Sequence, residues 1–235
     1  MAVSRRIEKI VEMIRYPLLG DIGTDHGYIP ITACLKNIVS RASACDIHPL
    51  PLERAKQNIA AAGLESRIET RLGYGLSPIK NDECGTITIC GMGGLLMGEI
   101  LLRGRETARA SKQVILQPQR DVPSLRKIVR QAGCEITGEY ILKESGQYYF
   151  FLDCRAGRDG EYTEREYLLG RFLPYGDDPV YLLYIEEQII KYENILSNLS
   201  QSGRKRGLPG PEDKRRELIR TLGFFKEAYK RLHPN

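Results

Sequence analysis

LGDIGTDHGYIP, residues 19 to 30, is the stretch on which the reading of this chain turns. Gly20, Gly23 and Gly27 interrupt a short apolar run, and between them stand Asp21, Thr24, Asp25 and His26, one of only three histidines in the chain. Glycines at 23 and 27 let backbone pass close beneath a ligand with no Cβ in the way and open a helix at Tyr28. The spacing differs from the dinucleotide fingerprint, which wants glycines at the first, third and sixth positions and an acid about twenty residues later. A carboxylate at Asp21 would also oppose a pyrophosphate seated on the following helix N-terminus. An acidic glycine turn suits a ligand with a cationic end and no phosphate, and S-adenosylmethionine, with its ammonium, sulfonium and ribose, meets that demand. The alternative is an ordinary tight βα turn.

Outward from this turn the chain alternates. Residues 5 to 14 put Ile7, Ile10, Val11 and Ile14 on one side of a short helix closed by Pro17, and a weakly marked strand ends near Asp21. ASACDI (42–47) reads as a strand and PLERAKQNIAAAG (51–63) as a helix. TITICGMGG (86–94) is a strand running into glycines, LLMGEILLRG begins a helix, QVILQP (113–118) is a strand and SLRKIVRQAG (124–133) a helix. Continuously apolar strands alternating with helices predict a parallel sheet covered on both faces. EITGEYILKESGQYYFFLDCR then predicts a β-hairpin turning at Gly146, on the far edge of that sheet. Residues 156 to 178 read as a linker with a helical piece at 164–169.

In an open parallel sheet, ligands sit beyond the C-terminal strand ends. RLGYGLSPI (71–79), with Gly73, Tyr74 and Gly75, and TICGMGGLLM (88–97), with Gly91, Met92 and Gly93, supply two more loops there. Asp46, at the end of the next strand, is placed to accept both ribose hydroxyls, with Ile47 following it. His48 is expected over the cofactor adenine or at the start of the next helix.

A transferred methyl group requires a nucleophile lined up with the sulfonium and removal of one proton from the acceptor. If the acceptor is an adenine N1, alkylation makes the ring cationic and acidifies the exocyclic amine. Asp25 is the candidate to stabilise that charge and take the proton, with a helix-capping role or a direct cofactor contact as its alternatives. His26 is a candidate contact to the acceptor or the methionine carboxylate, or else a histidine satisfied by backbone. Tyr28 is placed to stack on or border the target base.

The chain has 235 residues, 42% of them hydrophobic and 28% charged, enough for a domain of roughly 150 residues plus a smaller module. The boundary is expected between 1–160 and 161–235. In the second segment Leu182, Ile185, Ile189, Tyr192, Leu196 and Leu199, then Leu218, Leu222, Phe225, Tyr229 and Leu232, recur at steps of three and four. These form an antiparallel helical hairpin with a coiled-coil-like seam. Its loop concentrates Arg204, Lys205, Arg206, Lys214, Arg215 and Arg216, either a solvated turn or a tip that touches phosphates. Arg5, Arg6 and Lys9 are available to extend such a surface. Net charge of +5 identifies no partner alone. Six cysteines without a CxxC pair or a cysteine–histidine cluster point to no metal and to a reducing, cytoplasmic setting. No apolar run reaches the ~20 residues that span a bilayer.

These motifs together resemble the bacterial tRNA (adenine-22-N1)-methyltransferase family, TrmK. The resemblance rests on LGDIGTDHGYIP (19–30), CDIHPLPLERAKQNI (45–59), ITICGMGGLLMGEIL (87–101) and ILQPQ (115–119), followed by the edge hairpin and the C-terminal helical pair. It implies a Rossmann-like class I methyltransferase fold with a C-terminal coiled-coil-like hairpin. It also implies S-adenosylmethionine as methyl donor, N1 of an adenine in the D-arm region of tRNA as acceptor, and no obligate protein partner. By this likeness Asp21, Gly23 and Gly27 line the methionine side of the cofactor and Asp46 holds the ribose. Gly91, Met92 and Gly93 stand where many amino-group methyltransferases of nucleic acid carry an Asn/Asp-Pro-Pro-Tyr/Phe motif, which favours a ring nitrogen as target. Tyr74 stands where an aspartate is common beside the adenine, and Gly85 where an acid often precedes the strand. Gln119 stands where an asparagine is familiar, with an amide able to address the target base.

Overall fold

A computed structural model of the chain describes residues 3–172, 178–202 and 212–233. The chain divides into two units, Met1–Glu161 and Tyr162–Asn235. In the first, helices and strands alternate as α1 (Arg5–Met13), β1 (Leu18–Ile22), α2 (Tyr28–Leu35), β2 (Arg41–Asp46), α3 (Pro49–Ala61), β3 (Ile68–Leu72), β4 (Thr86–Met92), α4 (Gly94–Arg103), α5 (Arg105–Ala110), β5 (Gln113–Pro118), α6 (Val122–Gln131), β6 (Cys134–Glu144) and β7 (Gln147–Ala156).

The strands form one sheet in the order β3-β2-β1-β4-β5-β7-β6. The first five are mutually parallel, and the hairpin β6–β7 joins antiparallel to β5. This is the parallel sheet with an antiparallel edge hairpin that the alternation predicts. Strand order reverses between β1 and β4, so the loops after β1, β2, β3 and β4 open toward one crevice.

The apolar strands explain two cores, one on each face. One gathers Ile22, Ile87, Ile89, Met97, Leu116, Leu125 and Val129; the other Ile10, Val11, Leu19, Ala33, Ile59, Ile115 and Phe151. Strand β5 is buried at every position, as a strand covered on both faces must be. Helix α3 begins two residues before its sequence-based start because His48 is its N-cap and prolines occupy its first turn. Gly85 opens β4, and a Cβ there would lie 2.6 Å from Cβ of Tyr16. An acid at this position has no room, which explains the departure from the wider pattern.

The second unit holds α7 (Glu164–Leu169), α8 (Pro179–Ser202) and α9 (Glu212–Leu232). Thr163 and Glu166 form a reciprocal capping box on α7. Helices α8 and α9 pack through Ile185, Leu222, Phe225 and Ala228, with the rings of Tyr184 and Tyr192 against Phe225 and Lys226 paired to Glu193 at 2.7 Å. Gly223 has nothing within 4 Å of its would-be Cβ. Gly223→Ala is therefore expected to stabilise this unit by up to about 1 kcal/mol, seen as a higher denaturation midpoint.

Candidate cofactor and active site

A cavity of about 690 Å³ opens at the C-terminal ends of the parallel strands. Its wall is set from β1 outward. The amides of Gly23 and Thr24 both donate to the carbonyl of Cys45 at 2.9 Å, and Gly73 N–H donates to the Asp46 carbonyl at 2.9 Å. The amide of Gln119 donates to the Met92 carbonyl at 3.0 Å. These bonds tie the loops after β1 and β3 to the end of β2, and the segment after β5 to the end of β4, before any side chain acts. Gly23 has φ +72°, and a Cβ there would stand 2.5 Å from Cε of Met92, itself part of the wall. Any side chain at 23 would sit on strained backbone and force Met92 to shift.

Two carboxylates face this space on the cofactor side. Asp21, at the end of β1, is 3% exposed and receives the Thr88 hydroxyl at 2.7 Å. Burial dominates, and pushes the Asp21 carboxyl up to about 6. A carboxylate so desolvated is suited to a cationic ligand group. Asp46 ends β2, with one oxygen accepting the His48 amide at 2.7 Å. Tyr74 packs on the core and lines the cavity beside Gly73 and Gly75. The Arg103 guanidinium lies over its ring at 5.2 Å. The residues thus fit S-adenosylmethionine: a buried anion for its ammonium, an acid for its ribose and an aromatic, glycine-flanked loop for its base.

Of the residues singled out in the sequence, Asp21, Gly23, Asp25, Tyr28, Asp46, Ile47, Gly73, Tyr74, Gly75, Gly91, Met92 and Gln119 line the cavity together, as does His48. Thr24, His26, Gly27 and Gly93 do not. Thr24 is buried beneath the turn, and Gly27, at φ +71°, is the N-cap of α2 with no side-chain capping bond. A capping role for Asp25 therefore has no support. The Asp25 side chain is 80% exposed, with Oδ1 3.3 Å from His26 Nε2. His26 sits at φ +58° and stacks on Tyr28, ring centroids 5.3 Å apart. Gly93 is the N-cap of α4 and lies against Arg120.

A methyltransferase-domain family profile matches residues 3–152. The Bacillus subtilis protein named tRNA (adenine(22)-N(1))-methyltransferase is 33% identical over 234 residues, covering 97% of each chain. The chain belongs to the TrmK family. The crystal structure of the B. subtilis m1A22 tRNA methyltransferase TrmK superposes with TM-score 0.86 at 31% identity, covering 97% of this chain and 99% of that one. Mycoplasma capricolum TrmK, solved with S-adenosylhomocysteine, gives 0.82 at 25%, covering 99% and 100%.

In this TrmK chain the sequence reading missed the wall contributed by α1 and the segment before it: Val3, Ser4, Arg6, Ile7 and Ile10. Arg6 donates to Gln117 Oε1 at 3.0 Å, and its guanidinium lies over Tyr149 at 5.6 Å. The signal available was Gln117, a buried polar residue which, like Gln113 in the same strand, must find a partner. Cys90 also lines the cavity, and burial raises its thiol far above the ordinary range, against a thiolate role. Among the described residues no group of three or more His, Cys, Asp or Glu is placed to hold a metal ion, and no helix is long and apolar enough to cross a membrane.

Proposed function

We propose that this chain methylates N1 of adenine 22 in tRNA with S-adenosylmethionine as donor. The observation that carries the reading is the buried, desolvated Asp21 at the foot of a phosphate-averse glycine turn, facing a cavity with Asp46. Bound there, S-adenosylmethionine supplies an electrophilic methyl group. The protein's own part is orientation and charge. Asp21 takes the ammonium, Asp46 the ribose hydroxyls, Ile47 and the 73–75 loop the adenine of the donor, with Thr24, Gly27 and Gly93 shaping the turns behind them. Asp25 and Tyr28 border the space in which the target base lies, with His26 holding the Asp25 carboxylate and Gln119 addressing the base edge through its amide. Adenine N1 carries a free lone pair, so attack needs no prior deprotonation. The ring becomes cationic as the bond forms, and Asp25 stabilises it and accepts an amine proton.

The test is mass spectrometry of nucleosides from unmodified tRNA incubated with the protein and S-adenosylmethionine. 1-Methyladenosine at position 22 is expected; cofactor binding without product would leave a cofactor-responsive RNA binder.

Basic residues of the C-terminal hairpin are proposed to hold the tRNA. Arg204, Lys205 and Arg206 lie outside the described residues. Lys214 and Arg215 are exposed on the first turns of α9, while Arg216 is drawn to Asp213 at 3.3 Å and Glu212 at 3.7 Å. Neutralising Lys214 and Arg215 together is expected to weaken tRNA binding several-fold and flatten its salt dependence by up to about 0.9 log unit per lost duplex phosphate contact. An unchanged slope in a salt titration would remove these residues from the interface. The setting proposed is the cytoplasm, where tRNA and reduced thiols coexist.

A further inference from the structure

We infer that α1, together with the β6–β7 hairpin, forms a cation–aromatic track that carries the RNA strand flanking the target nucleotide into the cavity. The inference rests on the methyltransferase reading above and adds a substrate-binding surface on the catalytic unit itself.

In sequence, no basic run is interleaved with aromatics. The fold creates the interleaving by laying α1 across the hairpin. The register pairs Tyr140 with Phe151 and Leu142 with Tyr149, so Tyr140 and Tyr149 share one face of the sheet, and α1 covers it. Lys9 Nζ stands 4.5 Å from the Tyr140 ring centroid, and the Arg6 guanidinium 5.6 Å from that of Tyr149. Arg6 then reaches Gln117 of β5 and lines the cavity beside Gly91. From the outer edge strand inward the order is Tyr140 and Lys9, Tyr149 and Arg6, Gln117, cavity. Tyr140 is 39% exposed at the outer end.

Charge complementarity selects the occupant. Glu144, the acid nearest the start of α1, is occupied by the amides of Arg5 and Arg6 at 2.8 and 3.3 Å. At 100° per residue Glu8 and Glu12 turn roughly 160° and 120° away from Arg6, while Glu12, about 60° from Lys9, lies about 4.5 Å further along the helix from its cavity-lining start. The face toward the cavity therefore presents Arg6 and Lys9 beside tyrosine rings, the combination that tracks a single-stranded backbone while offering stacking surface to unpaired bases. An adenine buried in tRNA structure must be unstacked to reach the cavity, which brings the backbone on either side of it against this surface. A protein or lipid partner would leave the alignment with the cavity without purpose.

Lys9→Gln tests the outer end, where loss of one partly exposed charge leaves the core intact. The variant is first shown to unfold at the wild-type midpoint, within a few degrees, and to bind S-adenosylmethionine as tightly as wild type by calorimetry. Binding of unmodified tRNA is then measured against salt. Lys9→Gln is expected to weaken it about 3- to 10-fold and to flatten the slope by roughly 0.7 log unit, the value for one single-strand phosphate contact. Lys9→Arg should restore both. KM for tRNA should rise with kcat nearly unchanged. Wild-type tRNA affinity and slope in Lys9→Gln would overturn the track. Absence of 1-methyladenosine from wild-type protein would instead overturn the catalytic reading, since the binding measurement stands without turnover.

Discussion

Asp21→Asn is expected to weaken S-adenosylmethionine binding by about 100-fold while making the cofactor-free protein more stable at pH 7.5. The two effects share one cause. The Asp21 carboxyl stands at about 6 in the folded chain against 3.8 for an ordinary aspartate, because burial disfavours its charge. Above pH 6 the group is ionised in both states, and the folded state carries the desolvation cost, about 3 kcal/mol. Between pH 6 and 3.8 the folded chain holds the extra proton, so this cost fades as pH falls. Asparagine keeps the shape and can still accept from Thr88 without the charge, and should raise the thermal midpoint by about 3–8 °C at pH 7.5. That advantage should vanish toward pH 4. A ligand ammonium rewards the ionised form, so wild-type affinity should fall as pH drops through 6 while that of Asp21→Asn stays flat. Calorimetry and thermal unfolding from pH 5 to 8 read both. Equal cofactor affinity in the two proteins would show that Asp21 does not hold the cofactor's cationic end.

Asp25→Asn is expected to slow turnover by more than about tenfold with cofactor affinity within a few-fold of wild type. The Asp25 carboxylate borders the cavity and is mostly exposed, so water solvates its charge. In the role proposed above, a target base entering the cavity would enclose it, which would concentrate its effect on the step where the ring gains charge. Asparagine fills the same volume and offers no negative charge. Single-turnover rates at saturating tRNA and cofactor isolate that step. A parallel loss of cofactor binding would assign Asp25 to donor binding and remove it from proton transfer.

The alternation of apolar strands with helices made the sheet legible, since burial on both faces leaves no polar side to blur the pattern. Strand β3 was the faintest, for its residues Glu69, Thr70 and Arg71 lie at the sheet's edge and stay partly exposed. The cofactor side of the cavity was legible because its carboxylates and glycines sit within a few residues of strand ends. The wall contributed by α1 was not. Arg6 meets Gln117 and Glu144 across more than a hundred residues of chain, and no local spacing encodes such a meeting. His26 was equally opaque: its left-handed backbone and its stacking on Tyr28 follow from the turn as a whole.

The clasp between Glu144 and the amides of Arg5 and Arg6 spans 138 and 139 residues. Loop closure over such a length is entropically expensive and slow compared with the local βα pairings. During synthesis the donor-holding half, β1 to β3, has its pairing partners available while α1 still awaits the hairpin. The newborn chain thus completes the β1–β3 side of the cavity before the wall formed by α1, so on the roles proposed above methylation competence should lag behind donor affinity as the polypeptide lengthens.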